Sequence, residues 1–531
     1  MKLYKAFATV GGLTMVSRCL GFGRDILIAA GLGTGPVADA FVVAFQFPNL
    51  FRRLFGEGAF NSAFVPLFSR RLAADGRQSA HRFAEEALAG LLFVLLIVTA
   101  VAELTMPWLM YAIAPGFSAD PAKFDLTVLL TRIAFPYLLC MSLVALLSGV
   151  LNALGRFTAA AAAPILLNLV LISVLALASW LGVREAPDVG IILCWGVAIA
   201  GFVQLFMLSV AAYRAGMGFG FRRPRMTEGV RRLVQLGIPG VIAGGITQLN
   251  LQIGGFIASF QPGARSYLYY ADRLYQLPLG IVGVAIGVVL LPELSRRLRA
   301  GEHAAVMDSQ NRSFELALLL TMPAAIALWV AAEPIVSVLY ERGKFGATDT
   351  PATAWALAAF AWGLPAFVLQ KVFQPGFFAR EDTRTPMRFA AVNFGVNVVA
   401  SVILFIGFQA AGLMPHVGIA LATTLAGWIN VVLLWTTLAR RGHFEPDARL
   451  KRNGPLIVLA SVVMGAVIWL AAIPLRGYFA PQNPLAVKFS AMGGLILLGA
   501  AVFFGLLLAT KAMPAGGLTR AFKRAPRPQS G

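Results

Sequence analysis

The sequence predicts an all-α integral membrane protein with about fourteen transmembrane helices. The helices form two six-helix lobes related by a parallel repeat, plus two further helices at the C-terminal end. Three observations predict this. The 531 residues are 58% hydrophobic and only 13% charged, whereas a soluble domain carries roughly 25% charged residues. Apolar stretches long enough to cross a bilayer, about 20 residues each, recur along the whole chain. The connections between them alternate between basic and nearly uncharged. Helices are the element of choice because lipid offers no partner to an open strand edge.

The spans fall at about 5–31, 36–56, 84–112, 125–152, 158–181, 189–213, 233–259, 266–293, 313–340, 352–378, 387–411, 416–438, 454–475 and 485–511. Basic connections hold Arg70, Arg71, Arg77 and Arg82, then Arg222, Arg223 and Arg225, then Arg296, Arg297 and Arg299, then Arg440, Arg441, Arg449, Lys451 and Arg452. Thirty of the 44 Lys and Arg residues lie on that side and seven on the other. The positive-inside rule places the thirty in the cytoplasm. Both termini are then cytoplasmic, which needs an even number of spans.

The chain also repeats. The run from Pro66 resembles the run from Pro292, Gln46 matches Gln276, and Pro107, Pro136 and Asn168 have counterparts in Pro334, Pro365 and Asn397. Offsets of about 226–230 residues hold six helices, so both copies keep one orientation. The expected organisation is a first lobe at 1–228, a second at 229–450, two additional helices at 451–512 and a basic cytoplasmic tail at 513–531.

The charges at membrane depth bear on function. Seven basic residues fall within spans: Arg18, Arg24, Arg52, Arg53, Arg132, Arg273 and Lys371. Asp25, Asp39, Glu57 and Asp272 accompany them. Each arginine at mid-bilayer costs roughly 2.5–3.5 kcal/mol on insertion scales. Local pairing of Arg24 with Asp25, Arg53 with Glu57 and Arg273 with Asp272 absorbs some of this. The acids are outnumbered, however, and unpaired cations at depth imply water and an anion. Arginine suits a phosphate-like group because its planar fork binds oxygens in pairs.

Arg18 and Arg24 point about 120° apart on a straight helix, and Gly21 and Gly23 between them offer a bend. Asp39, Gln46, Asn49, Arg53 and Glu57 share a helical face that Pro48 interrupts, so spacing leaves open whether Arg52 or Arg53 points inward. Gly56–Gly58 reads equally as a hinge or as a helix end.

Other chemistry is not supported. Cys19, Cys140 and Cys194 lie in apolar segments without C-x-x-C spacing, and His81, His303, His416 and His443 are scattered. No metal site, cofactor or nucleic-acid partner is expected. The first apolar stretch contains Arg18, Arg24 and Asp25 and does not read as a cleaved signal. The cytoplasmic loops are too short and basic for a membrane enzyme such as a glycosyltransferase. A cation exporter would have an acidic cavity.

The segments Thr14–Asp25, Ala38–Pro66, Tyr269–Arg296, Glu341–Phe345 and Arg380–Pro386 closely resemble the MurJ (MviN) family of bacterial lipid II flippases, within the multidrug/oligosaccharidyl-lipid/polysaccharide exporter superfamily. The resemblance spans nearly the whole chain. It implies two six-helix lobes and a lipid-tail groove formed by the last two helices. It implies a bacterial inner-membrane flippase, not an enzyme, that serves peptidoglycan and cell-wall synthesis. Its partner would be lipid II, the undecaprenyl-diphosphate-linked disaccharide-peptide, taken from among the membrane lipids by alternating access.

The resemblance further implies that Arg18, Arg24, Arg52 and Arg273 bind the headgroup. It places Asp39, Asn49, Glu57 and Asp272 at positions that gate or orient the cavity, with Asp25 and Arg53 beside them. Gln46 stands where some members carry Lys, and Gln276 where some carry Glu, so proton or ion dependence can differ. Asn250, Asn393 and Asn397 have no nearby intramembrane carboxylate, which speaks against a tight sodium site. The membrane potential is the expected driving force, since moving one charge through 100 mV yields roughly 2.3 kcal/mol. A monomer is the simplest expectation. Export of another polyprenyl-linked oligosaccharide is the alternative.

Overall fold

The computed structural model describes residues 2–52, 60–220 and 222–512. Among them the regular structure is helical, with one isolated bridge between Arg342 and Phe345. The helices are α1 (Lys2–Leu32), α2 (Pro36–Arg52), α3 (Phe60–Ala74), α4 (Gly76–Ile113), α5 (Pro121–Ala134), α6 (Tyr137–Ala153), α7 (Phe157–Trp180), α8 (Ala186–Arg214) and α9 (Glu228–Ala258). They continue with α10 (Ala264–Arg299), α11 (His303–Val330), α12 (Ala332–Tyr340), α13 (Asp349–Ala361), α14 (Leu364–Phe378), α15 (Arg384–Ala410), α16 (Pro415–Arg440), α17 (Ala448–Leu475) and α18 (Leu485–Ala509).

Ten helical segments among the described residues are long and apolar enough to cross a membrane; α5 with α6 and α13 with α14 each count as one. The remaining expected spans fall on α1, α2, α9 and α10, and α1 carries Arg18, Arg24 and Asp25 within its apolar stretch. The last four residues of the expected second span, the Gly56–Gly58 run and the tail at 513–531 lie outside the described residues. Large apolar side chains such as Leu104, Trp180, Phe206 and Leu497 are exposed. Lipid solvates such a surface, whereas water would drive it to associate.

Packing separates two compact units: Met1–Tyr269 with Arg342–Gly346, and Tyr270–Glu341 with Ala347–Gly531. In the first, α4 packs on α6, and α5, α6 and α7 pack on α8. In the second, α11 packs on α14, and α13, α14 and α15 pack on α16. The same neighbours recur, as a parallel repeat requires. The breaks recur too. The α5–α6 segment is interrupted at Phe135–Pro136 and the α13–α14 segment at Trp362–Gly363, just before Pro365. Proline lacks the N–H and crowds the preceding turn, so a helix breaks there. Helix α9 packs on α3 and α4. The unit boundary set by packing therefore falls within α10, whereas the sequence repeat divides at 228/229.

In the first unit Val43, Phe47, Met106, Phe124, Val128 and Leu138 bring α2, α4, α5 and α6 together. In the second, Leu294, Val372, Phe373 and Leu434 join α10, α14 and α16. Ile457, Met464, Phe503 and Leu507 pack α17 and α18 against Ile326 of α11. At the start of α18 the buried Lys488 Nζ lies 3.3 Å from Glu341 Oε1, and Glu341 also accepts from Thr350 Oγ1 at 2.9 Å.

The Glu341–Phe345 motif forms a tight loop whose Lys344 N–H donates to Ala30 O at 2.8 Å, at the end of α1. Gly343 (φ +60) and Gly33 (φ +64) both adopt left-handed backbone there. A Cβ on Gly343 would meet Ala30 O at 2.3 Å, and one on Gly33 would meet Lys344 O at 2.6 Å. Only glycine fits both the conformation and the approach.

Candidate functional site

Helix α1 runs unbroken past Gly21 and Gly23. Gly21 serves close approach: a Cβ there would touch Asn168 Nδ2 of α7 at 3.4 Å. That approach positions Arg24, which is 6% exposed. Its Nε and Nη2 donate to Asp25 Oδ1 at 3.0 and 2.6 Å, and its Nη1 donates to Asn168 Oδ1 at 2.9 Å. Asn168 Nδ2 donates in turn to Ser17 O at 2.9 Å, tying α7 to the turn that carries Arg18. Tyr269 OH donates to Asp25 Oδ1 at 3.1 Å, and the Arg24 guanidinium lies 5.2 Å from the Phe45 ring centroid of α2. Local pairing of Arg24 with Asp25 thus holds, but within a network spanning α1, α2, α7 and the start of α10. Asn168 is the only strong hydrogen-bonding amide in the apolar α7, and a lone amide in such a helix calls for a partner.

Asp39 is fully buried near the start of α2. Its Oδ2 accepts from Lys123 Nζ at 2.6 Å and from Gly263 N–H at 2.9 Å. Its Oδ1 accepts from Ser266 N–H and Ser266 Oγ, both at 2.9 Å. Lys123 Nζ also sits 3.9 Å from the Phe117 ring centroid. Two backbone donors, a hydroxyl and an ammonium saturate this carboxylate. Lys123 lies between the spans expected at 84–112 and 125–152, and nothing in its spacing from Asp39, 84 residues away, signals the pair.

Arg18 is half-buried on α1 and makes no ion pair among the described residues. Asn49 is half-buried and donates to Phe45 O at 2.7 Å, one turn back on its own helix. Arg52 ends α2; its side chain, together with Arg53 and Glu57, lies outside the described residues. Arg132 does not join the Arg24 network: it is exposed on α5 and its Nε donates to Glu103 O at 3.1 Å. Glu103, in the span at 84–112, is a further acid at membrane depth beside Asp25, Asp39, Glu57 and Asp272.

In the second unit, Asp272 and Arg273 are both half-buried on α10, one turn before Gln276. Gln276 Nε2 donates to Asp272 Oδ2. A glutamate at 276 would set two carboxylates one turn apart, an arrangement that calls for a shared proton or cation. The amide removes that demand. Lys371 is exposed on α14. Asn397 Oδ1 accepts from Ser401 Oγ at 3.4 Å and Thr423 Oγ1 at 3.3 Å, a contact between α15 and α16. The side chain of Asn250 lies outside the described residues.

These arrangements hold charged side chains in hydrogen-bonded networks between helices. A family model described as lipid II flippase MurJ matches residues 28–489. A probable lipid II flippase MurJ of Rhizobium meliloti (strain 1021) is 50% identical over 525 residues, covering 99% of this chain and 97% of that protein. One from Rickettsia prowazekii (strain Madrid E) is 35% identical over 506 residues, covering 95% and 97%. Among solved structures, a lipid II flippase MurJ in an inward closed conformation superposes with a TM-score of 0.76 at 24% identity, covering 97% of this chain and 99% of that one. An inward-facing multidrug resistance MATE family transporter reaches 0.65 at 13% identity, covering 82% and 98%. At these identities the structural likeness shows the fold alone.

Proposed function

Since the chain belongs to the lipid II flippase MurJ family, we propose that it moves lipid II from the inner to the outer leaflet of the bacterial cytoplasmic membrane by alternating access, as a transporter and not an enzyme. Family membership along nearly the whole chain carries this reading. The cations at membrane depth give it chemistry. Arg18, Arg24, Arg52 and Arg273 hold the diphosphate-sugar headgroup. Asp25, Asp39, Asn49, Arg53, Glu57 and Asp272 orient those cations or take part in gating. The polyprenyl tail stays in lipid along α17 and α18, where Leu459, Trp469, Leu470, Ile496 and Leu497 are exposed. Both termini face the cytoplasm, as the basic connections favour, and the working unit is one chain.

The membrane potential supplies the direction. A diphosphate of about two negative charges gains roughly 4–5 kcal/mol when moved outward through 100 mV. The amide at Gln276 supports a cycle that needs no proton or cation beside Asp272. Vesicles without a potential that flip lipid II as fast as polarised ones would overturn this driving force.

The test of the function is conditional depletion in the native bacterium with assay of precursor sidedness. Lipid II should accumulate in the inner leaflet, and the wild type but not Arg273→Ala should restore export. Unaffected export would transfer the reading to another polyprenyl-linked oligosaccharide.

A further inference from the structure

A second cationic feature lies apart from the residues assigned above. In the first unit, α7, α8 and the loop before α7, with Thr9 of α1 and Leu151 of α6, line an open cavity of about 850 Å³, in the range of ligand pockets, roughly 300–1,000 Å³. Arg156 and Arg214 line it together with Leu166, Val203, Phe206 and Met207. No acidic side chain among the described residues lines it. Arg156 Nη1 donates to Arg214 O at 3.2 Å, so the residue before α7 is tied to the last residue of α8. Both arginines are exposed, and neither makes an ion pair among the described residues. The lower wall is open and apolar, with Val203 and Phe206 exposed. This end of α7 and α8 is the one that the basic connections assign to the cytoplasm, the side on which anionic lipids collect.

We infer that this cavity is a binding site for an anionic glycerophospholipid of the cytoplasmic leaflet. Arg156 and Arg214 take the phosphate oxygens, and one acyl chain lies along Leu166, Val203, Phe206 and Met207. The arrangement matches such a lipid at both ends. Two guanidinium groups without a carboxylate beside them attract an anion, and the apolar wall accommodates a chain. A bound lipid would join α7 to α8 beside the Asn168 that holds Arg24, so occupancy would stabilise the first unit.

The test uses the purified full chain, with retained lipid counted by native mass spectrometry after exposure to phosphatidylglycerol or phosphatidylcholine. The wild type should retain phosphatidylglycerol in preference to phosphatidylcholine. Arg156→Gln/Arg214→Gln should lose that preference by roughly ten- to thirtyfold, while Arg156→Lys/Arg214→Lys keeps most of it. Equal retention of the two lipids by the wild type, or an undiminished preference in the glutamine variant, would overturn the site. Should the glutamine variant fail to fold, photoactivatable phosphatidylglycerol on the unaltered chain decides. Adducts within Val203–Met207 or at Leu166 support the site, and adducts confined to other helices refute it.

Discussion

Lys123 Nζ lies 2.6 Å from Asp39 Oδ2, and both side chains are shut off from solvent, at 6% and 0% exposure. Breaking a buried pair from one side strands a charge, at about 3–5 kcal/mol. Lys123→Met should therefore lower the unfolding temperature of the detergent-purified protein markedly. Asp39→Asn in the same chain should recover much of the loss, because the amide oxygen still accepts from Gly263 and Ser266. Additive losses in the double variant would show that the two side chains act separately.

Arg24 reaches Asp25 and Asn168 with different edges of one guanidinium. A lysine in its place is a point charge and cannot span both. Arg24→Lys should accumulate in the membrane at wild-type level yet fail to support growth when the native copy is depleted. Asn168→Ala should weaken growth less, since the Asp25 pair survives it. Full growth with Arg24→Lys would mean that charge alone suffices there.

Much of this architecture was legible because lipid imposes strict rules. Apolar length marked the long membrane-crossing helices, and the shared prolines Pro136 and Pro365 marked the recurring breaks. The partners were not legible. Asn168 and Ser17 lie 151 positions apart, as do many contacts between helices, and helical periodicity says nothing about which faces meet. The Lys123–Asp39 pair was not legible for a related reason. Loop composition locates a residue near the membrane edge but not whether its flexible stem turns inward to a buried carboxylate. Glu103 is a further acid in an apolar run, and Arg132, a cation at membrane depth by sequence, sits on an exposed surface of α5.

Gly343 and Gly33 interlock the Glu341–Phe345 loop with the end of α1, each in left-handed backbone and each against a carbonyl of the other segment. Alanine at Gly343 adds a left-handed penalty of about 1–2 kcal/mol and a contact with Ala30 O that backbone must shift to relieve. Gly343→Ala should lower thermal stability by several degrees, with Gly33→Ala similar. Gly155→Ala is a control for left-handed backbone alone, because nothing lies within 4 Å of its added Cβ. It should cost clearly less. Equal costs at all three positions would remove the steric part of the argument.

Asp382 closes the turn ahead of α15: its Oδ1 accepts from Thr385 N–H at 3.0 Å, and its Oδ2 accepts from Thr385 Oγ1 and Arg441 Nη1, both at 2.7 Å. The Thr385 hydroxyl, then Arg441 and the Thr385 amide, hold its carboxyl well below the usual aspartate range. A folded pKa below the unfolded value of about 3.9 stabilises the protein above that pH, and the gain fades as pH falls further. Arg441 is 42% exposed, so solvent screens the pair and the effect is small. Asp382→Asn should lower the unfolding temperature at pH 7 by no more than about 2 °C, and the gap should begin to narrow as pH falls below about 4. Nearby His443, pushed down by burial and then by Arg380, Arg441 and His303, loses its own contribution as pH falls through about 6.5. That step occurs in both proteins and at higher pH, so it does not mimic the closing gap. A difference between wild type and Asp382→Asn that persists unchanged at pH 3 would show that shape, not charge, sets the contribution of Asp382.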